Sequence, residues 1–167
     1  AMIESNNAIR VSKSTVLFKN TWHKGVIGIV AARCVEKFYR PTVILTESNN
    51  KITGSARSVY GFDLYNAIMG CSDLLEKFGG HKYAAGLTLD ASNLEAFQQR
   101  FEEVVSSTTT DDMLIPVIDV DMPVQLDSIT PKFLNVLKQM GPFGPENQKP
   151  VFEARNVYVF NSLTMFK

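Results

Sequence analysis

Residues 51–86 constrain this chain more than any other stretch. Two runs of small and polar residues, Gly54-Ser55-Ala56-Arg57-Ser58 and Gly79-Gly80-His81-Lys82-Tyr83-Ala84-Ala85-Gly86, flank an apolar-periodic segment. In that segment Leu64, Ala67, Ile68, Cys71, Leu74 and Leu75 recur at the spacing of one buried helix face. Small residues let a ligand approach the backbone closely. Ser55, Arg57, Ser58, His81 and Lys82 supply donors and positive charge suited to an anionic partner.

The flanking sequence predicts an α/β domain. Residues 1–14 are polar and aperiodic and read as a lead-in linker. Thr15-Val16-Leu17-Phe18 is a short β-prone run. Ile27, Val30, Ala31, Cys34 and Phe38 then mark the inner face of a helix that Pro41 stops. Gly28 inside that helix costs about 1 kcal/mol relative to Ala and implies close packing against a neighbour. Thr42-Val43-Ile44-Leu45-Thr46 is a continuous apolar run, as buried parallel strands are, and completes a strand–helix–strand unit.

Residues 51–57 read as a third strand, with Ser55 and Arg57 leaving one face and Gly54 and Ala56 the other. Residues 79–86 read as a glycine loop running into a fourth strand over residues 85–89. Ser92-Asn93-Leu94-Glu95 has the form of a capping box, opening a helix with Leu94, Phe97, Phe101, Val104 and Val105 inward. The expected fold is a mixed β-sheet of four or five strands with packed helices over residues 15–107. Residues 106–112 are rich in Ser, Thr and Asp and mark a boundary.

A small strand–helix–strand segment over residues 113–167 follows. Its strands are expected over residues 118–126 and 151–160, and Thr130-Pro131 caps its helix. Phe133, Val136, Leu137 and Met140 form the inner face of that helix. Gly141-Pro142-Phe143-Gly144-Pro145-Glu146-Asn147 forbids regular structure after it.

Composition narrows the function classes. Lys plus Arg and Asp plus Glu number 17 each, which argues against a non-specific polybasic binder and leaves room for a local basic site. The two cysteines, Cys34 and Cys71, fall on apolar helix faces and read as reduced core residues without zinc spacing. The absence of a signal segment or membrane-length apolar run gives a cytoplasmic expectation and no membrane partner.

Several motifs occur together and in order: Trp22-His23-Lys24-Gly25-Val26-Ile27-Gly28, Arg40-Pro41, Gly54-Ser55-Ala56-Arg57-Ser58, and Gly79-Gly80-His81 with Ala84-Ala85-Gly86. Over residues 15–105 the chain resembles the DHH-associated domain of RecJ-type single-strand-specific exonucleases, in the DHH phosphoesterase superfamily. The tail, with Gly-Pro-Phe-Gly-Pro-Glu-Asn, resembles that family's next segment, the start of an oligonucleotide-binding barrel.

The resemblance implies a nuclease whose catalytic domain binds two divalent metals, manganese or magnesium, through Asp and His ligands. Here there is no Asp-His-His triplet, and the histidines are two, His23 and His81. Asp119 and Asp121 read as a solvated strand edge. This chain is therefore expected to hold no catalytic residue, no metal and no cofactor of its own, and to be inactive alone. Its expected partners are single-stranded DNA or a short oligonucleotide, and the missing catalytic domain of the same protein. By resemblance, Ser55 and Arg57 hold the terminal 5′ phosphate of a strand digested 5′ to 3′ in repair and recombination.

Ser58, Gly79, Gly80, His81 and Lys82 complete the expected binding set, with Trp22, His23 and Tyr83 as outer candidates. Each has a structural alternative: His81 as a turn histidine, Trp22 and His23 as a core edge, Lys82 as a solvated lysine, Tyr83 as a core tyrosine. Arg57 has its own, pairing with Asp63 or Glu47. Two other functions stand beside the exonuclease. One is an accessory domain of a phosphodiesterase acting on short oligonucleotides or dinucleotides; the other is a free-standing interaction module.

Overall fold

The computed structural model describes Ile3, residues 7–144 and residues 146–158. It divides into two compact units, Ala1–Pro116 and Val117–Lys167.

The first unit is a five-stranded mixed sheet. Its strands are β1 (Thr15–Phe18), β2 (Thr42–Ser48), β3 (Lys51–Arg57), β4 (Lys77–His81) and β5 (Ala84–Leu89), in the spatial order β1-β2-β3-β5-β4. β1 and β2 run parallel, joined through α2 (Ile27–Phe38) in the expected strand–helix–strand unit, and the other neighbours are antiparallel. Strand alternation gives each face its own core. Val43, Leu45, Ile52, Ala56, Leu87 and Leu89 pack with α3 (Leu64–Met69) and α4 (Leu94–Thr108) through Leu64, Ile68, Phe97 and Phe101. On the opposite face Leu17 and Ile44 pack with Ile27 and Ala31 of α2.

Gly54 is needed where it stands. A Cβ there would lie 2.5 Å from Leu45 Cδ2, so a side chain on this strand would displace the core.

Several local expectations are corrected. The apolar run from Leu64 to Leu75 is not one helix: α3 ends at Met69, and Ser72–Leu74 forms a separate 3₁₀ turn. Asp63 caps α3 by accepting a hydrogen bond from Asn66 N at 3.0 Å. The capping box at Ser92 does not form. Asp90 accepts from both the amide and the hydroxyl of Ser92, which holds Ala91–Asn93 as a 3₁₀ turn, and α4 starts at Leu94.

Residues 7–14, expected as lead-in, are built into this unit. Asn7–Val11 form α1, and Glu102 accepts hydrogen bonds from Lys13 N, Ser14 N and Ser14 Oγ. Arg40 donates to Thr15 Oγ1 at 2.7 Å and to the Ser12 carbonyl. These partners lie far away in sequence, so no local pattern reveals them.

The second unit holds a 3₁₀ turn (Leu126–Ser128), α5 (Pro131–Gln139) and a parallel pair, β6 (Met122–Pro123) with β7 (Phe152–Glu153). Thr130 Oγ1 accepts from Phe133 N at 3.2 Å with Pro131 opening the helix, as expected. The two strands are much shorter than their sequence runs. Pro123 has no N–H to give the ladder, which continues only with Val124 N donating to the Glu153 carbonyl at 2.9 Å, and residues 159–160 of the second run lie outside the described residues. On α5, Phe133 and Leu137 are half-buried, with Phe133 edge-on to Phe152 at 5.4 Å between centroids. Val136 and Met140 are exposed, because this unit offers few strands to cover them.

In the Gly-Pro-Phe-Gly-Pro-Glu-Asn stretch, Asn147 Nδ2 donates to the carbonyls of Met140 and Pro142 and folds the turn on itself. Pro145 lies outside the described residues.

Candidate nucleic-acid interface

The glycine-rich stretch over residues 79–86 is a β-hairpin and not a loop. Gly79 stands opposite Gly86, and His81 opposite Ala84, with Lys82 and Tyr83 at the turn. Glycine has low strand propensity, which hides β4 from pattern reading. The sequence needs it here for geometry: Gly80 has φ +149, and a Cβ there would lie 2.3 Å from the Ala84 carbonyl oxygen.

Register places the predicted residues in rows on the α2 face of the sheet. One row runs Thr42, Arg57, Ala84, His81; the next runs Ile44, Ser55, Gly86, Gly79. α2 packs on β2 and β3, while Gly86, Gly79 and His81 remain exposed. A Cβ on Gly79 would meet nothing within 4 Å, and one on Gly86 only the Gly54 carbonyl at 3.8 Å. The result is a shallow, side-chain-free floor bordered by Ser55, Arg57 and His81.

Arg57 and Ser55 are brought together. Arg57 Nη1 donates to Ser55 Oγ at 3.1 Å and to its neighbour's carbonyl, Ala56 O, at 2.8 Å. Among the described residues no carboxylate pairs with Arg57, and Asp63 is occupied in capping α3. The first turn of α2 abuts the same two side chains. A Cβ on Gly28 would lie 3.1 Å from Arg57 Nη2 and 3.1 Å from Ser55 Oγ. α2 begins without a side-chain cap. Its N-terminal amides and dipole thus add partial positive charge beside a guanidinium with no carboxylate partner among the described residues. Ile29 N and Val30 N donate to the Val26 carbonyl at 3.0 Å, so the donors this corner offers an anion are the arginine fork, the Ser55 hydroxyl and the Ile27 and Gly28 amides.

Ser58 directly follows β3, its hydroxyl donating to the Phe62 carbonyl at 3.2 Å and its amide to the Tyr83 carbonyl at 3.1 Å, so it ties the hairpin turn to the 58–62 segment. His81 is exposed, and its Nδ1 accepts from Tyr83 N at 3.4 Å. Lys82 Nζ lies 5.7 Å above the Tyr83 ring, and Tyr83 is 40% exposed. His23 is exposed in the turn before α2, where Nδ1 accepts from Gly25 N at 3.1 Å. Trp22 joins the Leu17, Ile27, Ala31 and Ile44 cluster, and its carbonyl accepts from Thr46 Oγ1.

Gly28 and Lys77 belong to this face and were not among the predicted binding residues. Alternation through Lys77, Gly79 and His81 is the signal for Lys77, legible only once β4 is recognised as a strand.

Both cysteines are free thiols. Burial pushes Cys71 up to about 11 and raises Cys34 as well. Among the described residues no group of three His, Cys, Asp or Glu side chains could hold a metal ion. Asp121 instead accepts from Val151 N at 2.8 Å. No described helix is long and apolar enough to cross a membrane.

The fold is that of a DHHA1 domain: residues 9–107 match the DHHA1 domain model and residues 120–167 the RecJ OB domain model. The chain belongs to the DHHA1 domain family, in the form found in RecJ proteins. Similar proteins include the single-stranded-DNA-specific exonuclease RecJ of Bacillus subtilis, 39% identical over 81% of this chain and 17% of that protein. The Escherichia coli protein of the same name is 32% identical over 82% of this chain and 25% of its own length. The crystal structure of Thermus thermophilus RecJ in complex with Mn²⁺ superposes with a TM-score of 0.74 at 30% identity, covering 86% of this chain and 21% of that one. Its Mg²⁺ complex gives 0.73 at 31% identity, covering 84% and 22%. The chain thus spans a quarter or less of the length of these relatives.

Proposed function

We propose that this chain is the strand-holding part of a single-stranded-DNA-specific 5′-to-3′ exonuclease, seating the terminal 5′ phosphate against a metal-dependent catalytic lobe elsewhere in the same protein. One observation carries the reading: Arg57 and Ser55 converge on the uncapped start of α2 at Gly28, with no carboxylate partner for the guanidinium among the described residues. The guanidinium offers parallel N–H donors to two phosphate oxygens, and the Ser55 hydroxyl reaches a third. The floor at Gly79 and Gly86 lets the first nucleotide lie flat, with His81 at its edge. Capture of the chain end here sets the polarity, because cleavage then occurs a fixed distance away.

The relatives crystallised with Mg²⁺ and Mn²⁺ support a divalent metal in that lobe. Among the described residues no group of three His, Cys, Asp or Glu side chains fits such a site. The match of residues 120–167 to an OB-type segment favours an exonuclease over a dinucleotide phosphodiesterase. Work in repair and recombination, in the cytoplasm, accords with this activity. The test is affinity of the chain for matched single strands ending in 5′ phosphate or 5′ hydroxyl. Tighter binding of the phosphorylated strand is expected, and equal binding refutes the phosphate seat.

A further inference from the structure

We propose that Lys77, with the Thr88 hydroxyl beside it, forms a second phosphate seat, and that single-stranded DNA crosses the exposed sheet face diagonally from Arg57 to Lys77. This inference rests on the reading of Arg57 and Ser55 as the seat of the terminal phosphate. Below the Arg57 and Ser55 rows, the third row on the same face runs Thr46, Thr53, Thr88, Lys77. Lys77 is exposed on the edge strand and makes no ion pair or side-chain hydrogen bond among the described residues. Thr88 is half-buried at its side. The diagonal between the two seats crosses the Gly86 and Gly79 row, where a Cβ on Gly79 would meet nothing within 4 Å and one on Gly86 only the Gly54 carbonyl at 3.8 Å, so no side chain blocks the path there.

Four residues along the strands and two strand spacings across separate Arg57 from Lys77, a diagonal of about 16 Å. At a stacked rise of about 3.4 Å per nucleotide that span takes several nucleotides, more than a dinucleotide supplies. The track also has an end. Lys51 is engaged by Glu76 at 2.5 Å and Asp90 at 3.0 Å, a cluster that carries one net negative charge just beyond the third row. That charge turns the strand off the sheet at Lys77.

The experiment measures binding of 5′-phosphorylated oligothymidylates of two and eight nucleotides to the 167-residue chain, in wild-type, Lys77→Ala, Lys77→Arg and Arg57→Ala forms. Lys77→Ala is expected to weaken the octanucleotide three- to tenfold and leave the dinucleotide unchanged. It should lower the dependence of log affinity on log salt by about 0.7, one phosphate's share on a single strand. Lys77→Arg should restore both. A Lys77→Ala effect of equal size on both lengths, or none on either, overturns the second seat. If Arg57→Ala weakens both lengths while Lys77→Ala weakens neither, only this inference fails. If neither variant changes binding, or no oligonucleotide binds, the phosphate-end reading fails with it.

Discussion

Gly28 meets Arg57 across the helix–sheet seam: a Cβ on the glycine would lie 3.1 Å from Nη2 of the arginine. The glycine therefore keeps the guanidinium where it can serve a ligand, at a position where helix propensity alone favours alanine by about 1 kcal/mol. Gly28→Ala should leave the melting temperature unchanged or slightly raised and weaken binding of 5′-phosphorylated single strands severalfold. Thermal melts and anisotropy titrations on the same protein check this. A large stability loss with intact binding would assign Gly28 to packing alone.

The two hairpin glycines should separate fold from floor. Gly80 combines φ +149 with a Cβ position 2.3 Å from the Ala84 carbonyl oxygen, so Gly80→Ala should destabilise the unit by about 1–3 kcal/mol. Gly79 has open space above it, and Gly79→Ala should fold normally yet bind single strands more weakly. Denaturant melts of both variants read the first effect and strand titrations the second. Identical behaviour of the two would contradict the open-floor geometry.

The legibility of these features differs for physical reasons. The alternation of Ser55 and Arg57, the strand–helix–strand unit and the cap at Thr130 all follow from periods of two or 3.6 residues and from local capping chemistry. β4 escaped because Lys77-Phe78-Gly79-Gly80-His81 is paired by register with β5 and not by its own propensity. The lead-in escaped because its order comes from Glu102 and Arg40, supplied by distant elements. Ser92 with Glu95 mimics a capping box, but Asp90 competes for the same amide and hydroxyl and wins. The phosphate-end role proposed for Ser55 and Arg57 is legible only through resemblance, while their convergence with Gly28 is a tertiary fact.

Asp90 should titrate far below an ordinary aspartate. Hydrogen bonding from the Ser92 amide, then from Lys51, holds its carboxyl down to about 2 from 3.8. A depressed folded-state value means that its stabilising contribution is present above about pH 4 and is lost as pH falls through about 2. A carboxyl carbon shift titration should give a midpoint near 2. A midpoint near 3.8 would show that Ser92 and Lys51 do not hold it in solution.

The chain alone should release no nucleotides from single-stranded DNA with manganese or magnesium present, since its described residues bring together no metal-binding cluster. Product analysis after prolonged incubation checks this. Chelator-sensitive hydrolysis that co-purifies with the chain would contradict it.

The most direct test of the phosphate seat compares Arg57→Ala with wild type on matched single strands bearing a 5′ phosphate or a 5′ hydroxyl. The predicted result is a loss of about 1.5–3 kcal/mol on the phosphorylated strand, the range for a hydrogen bond to a charged group, with little change on the hydroxyl strand. Equal losses on the two strands would contradict the seat and make Arg57 a general backbone contact.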